Sequence, residues 1–303
     1  MRALAEYQLA DWAKAVPLVH GFKRMRNVAI ERTFRSMHAR GYDRFMAELA
    51  ALKPQALAIS VAYNTPWVID VTTRLTKQNL VGTLAICDNS RIRAARIENE
   101  RICKERGVPY LPLPVNLERH PCRHHGIALN WVYYNVVDRV RPRVFGFLDH
   151  DLFALQRFDL AALVANEPVY GVFKTSPWGW NLWAGFCVYD RVAVADFRPD
   201  FNNDLPRRLD TGGRNWVRIY RHLDRARLRF AAARPATLRV PGDGEELLVE
   251  LIDDCLLHVG GASFWHEPHR SNIEAPYRRI LRHLDSGGTL AELMRHPTNS
   301  VPA

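Results

Sequence analysis

The eight residues Val144-Phe145-Gly146-Phe147-Leu148-Asp149-His150-Asp151 decide how the rest of this chain is read. A short apolar run bounded by a polar turn fits a strand buried on both faces of a sheet. Here the run ends abruptly in two carboxylates one residue apart. In an open α/β sheet, ligands bind outside the carboxyl ends of the strands. Hard cations such as Mg²⁺ and Mn²⁺ take oxygen ligands from one or two carboxylates and from substrate phosphates. The Asp-x-Asp pair therefore points to a metal-bridged phosphate site. Asp is equally common as a turn former and helix cap, and the pair alone is compatible with that role too.

Upstream, residues 56–61 read as a first buried strand that stops at Ala62-Tyr63-Asn64-Thr65-Pro66, with a helix expected over 67–78. A second strand over 80–86 ends in Cys87-Asp88-Asn89-Ser90. A charged helix, 91–106, is closed by Gly107, and a third strand covers 108–113. This alternation predicts an α/β fold with a parallel sheet and crossover helices. The histidine-rich stretch His120, Cys122, His124, His125 reads as a loop with solvated or locally bonded side chains, before a helix over 126–140. Downstream come a strand at 169–173, a loop carrying Trp178, Trp180 and Trp183 that enters another strand, and a polar loop at 201–213. A helix is expected over 214–230, then a strand ending in His258 and the pair Gly260-Gly261, where backbone can approach a ligand closely.

The length, 303 residues, suits one large α/β domain with appendages: a helical N-terminal arm (1–50), the main domain (51–265) and a helical C-terminal tail (266–303) that frays over 297–303. Apolar residues at 48% and charged residues at 24% are ordinary for a globular protein, and no apolar run reaches membrane-spanning length. The N-terminus lacks the apolar core of a signal peptide, so the chain is expected in the cytosol. Five cysteines without a Cys-x-x-Cys pair argue against a disulfide framework or a thiolate zinc site. The net charge of +10 predicts attraction to something anionic, yet the basic and aromatic arrays of RNA-binding modules are missing. The basic arm is expected to pack on the domain through its recurring apolar residues, with contact to a membrane surface or to an acidic partner as the other readings.

In a sheet, the polar strand ends Tyr63-Asn64, Asp88-Asn89-Ser90, Asp149-His150-Asp151 and His258 would border one crevice. With these motifs in this order, the chain resembles the nucleotide-sugar-dependent glycosyltransferases of the GT-A fold, in particular the family-2-like group, over residues 56–265. Its carriers are the first strand running into Tyr63-Asn64, the second ending in Asp88, the segment Gly126 to Asn130 before the metal strand, Phe147-Leu148-Asp149-His150-Asp151, Leu209-Asp210-Thr211-Gly212-Gly213, and His258-Val259-Gly260-Gly261. The resemblance implies a largely parallel central sheet with flanking helices, made of a Rossmann-like nucleotide-binding half and an acceptor half. It implies nucleotide contacts from Tyr63, Asn64, Asp88, Asn130 and Asp149, and Mn²⁺ or Mg²⁺ held by Asp149, Asp151 and His258. Asp151 is then the direct ligand and Asp149 reaches the ribose or a metal-bound water. Trp178, Trp180 and Trp183 become an acceptor platform. The implied partners are a nucleotide-sugar donor and a glycan, lipid-linked or other acceptor, with the protein in the cytoplasm or on the inner membrane face. The sequence departs from the group where a clean acidic pair should follow the acceptor loop. Asp210, then Asp204, are the candidates for the catalytic base, and whether the product is inverted or retained stays open. Two other readings remain. A sugar-phosphate nucleotidyltransferase would carry a Gly-rich loop where this chain has Tyr63-Asn64-Thr65-Pro66. A non-catalytic basic protein binding nucleic acid or membrane would use the Asp pair only as a cap.

Overall fold

The computed structural model describes residues 2–242, 244–262 and 271–294. Two helices, α1 (Val16–Ser36) and α2 (Tyr42–Leu52), lead into β1 (Ala56–Ala62), whose seven residues are all buried. Then follow α3 (Pro66–Asn79), β2 (Thr83–Asp88), α4 (Arg93–Arg106), β3 (Tyr110–Pro112), α5 (Pro121–Val132) and β4 (Val144–Asp149). The second half holds β5 (Leu152–Ala154), β6 (Val169–Ser176), β7 (Gly179–Asp190), β8 (Ala233–Arg239), β9 (Glu246–Ile252), β10 (Leu256–His258) and α6 (Ser271–Asp285).

The main sheet runs β3-β2-β1-β4-β7-β6. Its first four strands are parallel, while β7 pairs antiparallel with both β4 and β6. The protein is thus a mixed α/β structure with a mostly parallel central sheet and flanking helices. The chain builds outward from β1 through β2 to β3, then returns to the other side of β1 as β4. That reversal leaves a crevice above the carboxyl ends of β1 and β4. Apolar clusters cover both faces of the sheet, which is why its inner strands read as unbroken apolar runs. The N-terminal helices belong to one of these clusters: Phe34, Tyr42, Phe45 and Leu49 pack with Trp131 and Val132 of α5.

A second, antiparallel sheet runs β8-β9-β10-β5. It shares a core with α3 and α6 through Val68, Leu75, Phe153, Leu257, Ile280 and Leu281. Strand β5 starts directly after Asp151, so this sheet is tied to the end of β4 by one turn. Among the described residues no helix is long and apolar enough to cross a membrane.

Several expected elements differ. Residues 214–230 do not form one helix. A single turn, Asn215–Arg218, ends where Ile219 leaves the helical region at φ −120°. The Asp224 side chain then accepts from the Ala226 N–H and starts a tight 3-10 turn. The tryptophan loop is a hairpin, with β6 running on to Ser176 and β7 starting at Gly179. The expected strand over 80–86 is interrupted at Gly82, which takes φ +146°. The histidine-rich stretch is helical, with Pro121 in the first turn of α5. The expected boundary at 265/266 and the segment 297–303 lie outside the described residues.

Candidate active site

Asp149 ends β4, and Asp151 stands one turn further, just ahead of β5. The turn is pinned from α3, where the Thr72 hydroxyl donates to the His150 carbonyl at 2.6 Å. β10 pairs with β5 in a register that sets His258 opposite Leu152, and the Val259 N–H donates to the Asp151 carbonyl at 3.2 Å. The Ala262 N–H reaches the Asp151 carboxylate at 3.1 Å. Pairing within the second sheet thereby delivers a histidine from the far end of the chain to the Asp pair. Asp149, Asp151 and His258 each offer one ligand atom, all within 4.8 Å of one another. His258 Nε2 lies 3.7 Å from Asp151, and its Nδ1 lies 3.3 Å from Glu250, its cross-strand neighbour on β9. A carboxylate behind a ligating imidazole fixes its tautomer and raises its basicity.

Electrostatics in this group shift its two carboxyls in opposite directions. Burial pushes the Asp149 carboxyl up, with the Asp151 charge adding to it against the pull of His125 and His258. Burial also works against ionisation of Asp151, but the charges of His258 and His150 and the Ala262 N–H outweigh it and hold its pKa below the usual range. For His258, burial disfavours the charged ring, while the hydrogen bond to Glu250 and the Asp151 and Asp149 charges win and raise its pKa. Two carboxylates and one imidazole are a donor set that suits Mn²⁺ or Mg²⁺, and three protein ligands leave coordination positions for phosphate oxygens.

The group forms one wall of a cleft of about 650 Å³ above the crevice between β1 and β4, a volume in the range of small-ligand sites. Tyr63 and Asn64 border it from the end of β1, Asn89 and Arg91 from the loop after β2, and Arg119, Cys122, His124 and His125 from the start of α5. Trp183, Ala184, Asp210 and Thr211 also line it. Asn64 adopts φ +56°, donates its N–H to Ser90 Oγ at 2.7 Å, and accepts the Arg91 and Ile92 N–H groups on Oδ1 at 2.9 and 3.1 Å. It thus locks the first two strand-end loops together. The Arg91 guanidinium in turn donates to the Glu118 carbonyl.

Of the residues expected at the site, the cleft contains Tyr63, Asn64, Asp149, Asp151, His258, Trp183 and Asp210. Others are elsewhere. Asp88 is fully buried, and its carboxylate accepts from the Ser90 N–H (2.7 Å), Asn99 (2.9 Å) and the Tyr110 hydroxyl (2.7 Å), so it braces the loop beneath the cleft instead of facing it. Asn130 is buried among Glu31, Asp200 and the Phe201 N–H, at 2.7, 3.0 and 2.7 Å. Asp204 is 1% exposed, ion-paired with Arg207 at 2.7 Å, and is not among the residues that line the cleft. Strand alternation divides the tryptophans. Trp180 joins Leu182 in the core, stacked on Tyr220 at 4.6 Å, whereas Trp183 points to the other face and packs on His258 at 4.6 Å. Trp178 sits at the hairpin tip under the Arg2 guanidinium, 5.1 Å from its ring centroid. Of the three tryptophans, Trp183 alone lines the cleft.

The cleft also contains Cys122, His124 and His125 of the histidine-rich stretch, expected from the sequence to be a loop with solvated or locally bonded side chains. His125 Nε2 lies 3.7 Å from Asp149. His124 has its pKa pushed down to about 3, by burial and then by the Arg91 charge. Its Nδ1 faces the Asn89 amide at 2.9 Å and so accepts, which leaves the proton on Nε2, an atom with no hydrogen-bond partner. Asp210 is exposed, and after burial its charge is the next cause that pushes the neighbouring Cys122 thiol up to about 11. The visible signal for the two histidines was Pro121, once it is read as a helix start.

No family model matches the sequence, and no curated protein matches it. Among solved structures, the chain is similar to the mannosyltransferase PcManGT from Pyrobaculum calidifontis, determined in complex with GDP-Man and Mn²⁺. The match has 14% identity, 57% of this chain and 56% of that chain covered, and a TM-score of 0.36. It is also similar to A197 from STIV, at 13% identity over 47% of this chain and 66% of that one, with a TM-score of 0.24. The chain thus spans little more than half the length of the first structure and just under two thirds of the second. Likeness of this degree carries no argument about activity, which rests on the cleft.

Proposed function

We propose that the chain is a cation-dependent glycosyltransferase of GT-A type that moves a sugar from a nucleoside diphosphate to an acceptor hydroxyl. The observation that carries this reading is the gathering of Asp149, Asp151 and His258 within 4.8 Å at the reversal point of the sheet, on the wall of a cleft of about 650 Å³. In this reading Asp149, Asp151 and His258 hold Mn²⁺ or Mg²⁺. A cation there would stabilise the charge that develops on the diphosphate as the sugar leaves it. Tyr63 and Asn64 border the nucleoside, and Arg91 and Arg119 offer positive charge to the phosphates. Trp183 gives the sugar or acceptor an aromatic surface. Asp210, exposed on the cleft wall, takes the proton from the acceptor hydroxyl while that oxygen bonds to the sugar carbon and the diphosphate departs with the electron pair. Residues 51–265 are the catalytic unit in this reading, and 1–50 and 266–303 are its appendages.

Incubation of the purified chain with a panel of nucleoside diphosphate sugars and acceptors, with and without Mn²⁺, tests it. Cation-dependent release of the nucleoside diphosphate that disappears in Asp151→Asn is the expected result. Pyrophosphate release from a nucleoside triphosphate and a sugar phosphate would replace it with a nucleotidyltransferase.

A further inference from the structure

Seven of the sixteen large apolar side chains exposed among the described residues fall between Leu4 and Met25. On α1, Leu18, Phe22 and Met25 are 70%, 76% and 63% exposed. At about 100° per residue these three and the exposed Ala29 lie within roughly 60° of one another around the helix, forming one stripe. The opposite side of α1 faces the protein: Phe34 is buried, Ile30 packs on the core, and Glu31 accepts from Asn130 and Asn202. The stripe is therefore a second apolar face that the described residues leave uncovered. Just before it, Leu9 and Trp12 are 89% and 45% exposed on the short helix Leu9–Ala13.

Charge selects the occupant. Between residues 14 and 35 stand Lys14, Lys23, Arg24, Arg26, Arg32 and Arg35, and the only acid is Glu31, which is turned inward. Arg26 and Arg32 flank the stripe on its two sides by the same helical geometry. An apolar stripe bordered by cations lies in the plane of an anionic bilayer, with its apolar side chains below the headgroups. A second copy of this chain would bring the same cations and a net charge of +10 against the same face.

We propose that the stripe Leu18, Phe22, Met25 and Ala29, with Arg26 and Arg32 at its borders, docks the protein on an anionic membrane surface without spanning it. This stands apart from the reading of the cleft and holds whether or not that reading does.

Co-sedimentation with vesicles tests it, using phosphatidylcholine alone and phosphatidylcholine with about one quarter phosphatidylglycerol. The full chain should bind the anionic vesicles and be released as salt rises from about 0.1 to 0.5 M. The double variant Leu18→Glu, Phe22→Glu should bind about tenfold less or weaker still, with an unchanged melting temperature because both positions are exposed. Failure of the parent chain to bind anionic vesicles, or undiminished binding by the double variant, would overturn the proposal. So would a dimer in solution that the same double variant dissociates, since the face would then be covered by a second copy.

Discussion

Asp151, Glu250 and Asp210 occupy different positions in the proposed chemistry, and their loss should register in different measurements. Asp151→Asn removes a direct ligand. Glu250→Gln leaves the ligand set intact but takes the carboxylate from behind His258, so cation affinity should drop about 10–100-fold, read from a Mn²⁺ titration of turnover. An unchanged titration would assign Glu250 to the sheet alone. Asp210→Asn should lower kcat by about 10²–10⁴ while leaving nucleotide affinity as it was. Away from the cleft, Glu31 and Asp200 respond to pH in opposite directions. Burial, then the Asp200 charge, holds Glu31 above the usual range; burial also opposes the Asp200 ion, but Arg214 and the amides of Asn130 and Asn202 hold Asp200 below it. Asp200 thus contributes stability above the ordinary carboxylate pKa that is lost as pH falls through its lowered value. Glu31 is destabilising when ionised, and that cost is relieved as pH falls through its raised value. Urea unfolding over a pH series should find Asp200→Asn destabilised at neutral pH, with the deficit closing in acid, and Glu31→Gln no less stable than the parent at neutral pH. A Glu31→Gln variant weakened most at neutral pH would contradict these signs. That Asp149 and Asp151 stand together at a strand end was legible in the sequence, because an apolar run stops there at two carboxylates. Asp88, Asn130 and Asp204 were not legible, since a polar residue in a loop or at a strand end looks the same whether its lone pairs face a ligand or three neighbours.

At the level of elements, the β-α-β-α-β stretch could be read because strand and helix periods differ and Gly107 closes α4 as a glycine at φ +58° should. The second half was harder to read. Residues 214–230 contain apolar residues at helical spacing, but Trp216, Ile219 and Tyr220 plug the core from short turns. Helix α5 is the element through which the Asp210 loop is positioned. Gly126 lies against that loop so closely that a Cβ would sit 2.8 Å from the Phe201 carbonyl oxygen and 2.9 Å from Asn202 Cα. Both are backbone atoms with little room to yield. Gly126→Ala should therefore destabilise by about 1–3 kcal/mol through overpacking, despite a helix propensity that favours Ala by about 1 kcal/mol. Chemical denaturation decides it: a more stable variant would mean that α5 and the 201–202 segment are not locked together.

Across the whole molecule, the site depends on two sheets meeting at one turn. The parallel sheet brings Asp149 to its reversal point, and the antiparallel sheet returns His258 through β10 to the residue beside Asp151. No local pattern announces that meeting, because β5 is three residues long and its partner lies far along the chain. The measurement that tests the account most directly is the melting temperature of the parent chain and of Asp151→Asn with nucleoside diphosphates, with and without Mn²⁺. A ligand that binds the native state at about 100 times its dissociation constant adds roughly 2.7 kcal/mol to stability. The account predicts a rise for the parent chain when nucleotide and Mn²⁺ are present together, and none for Asp151→Asn. Stabilisation by no nucleoside diphosphate, or equal stabilisation of both proteins, would contradict it.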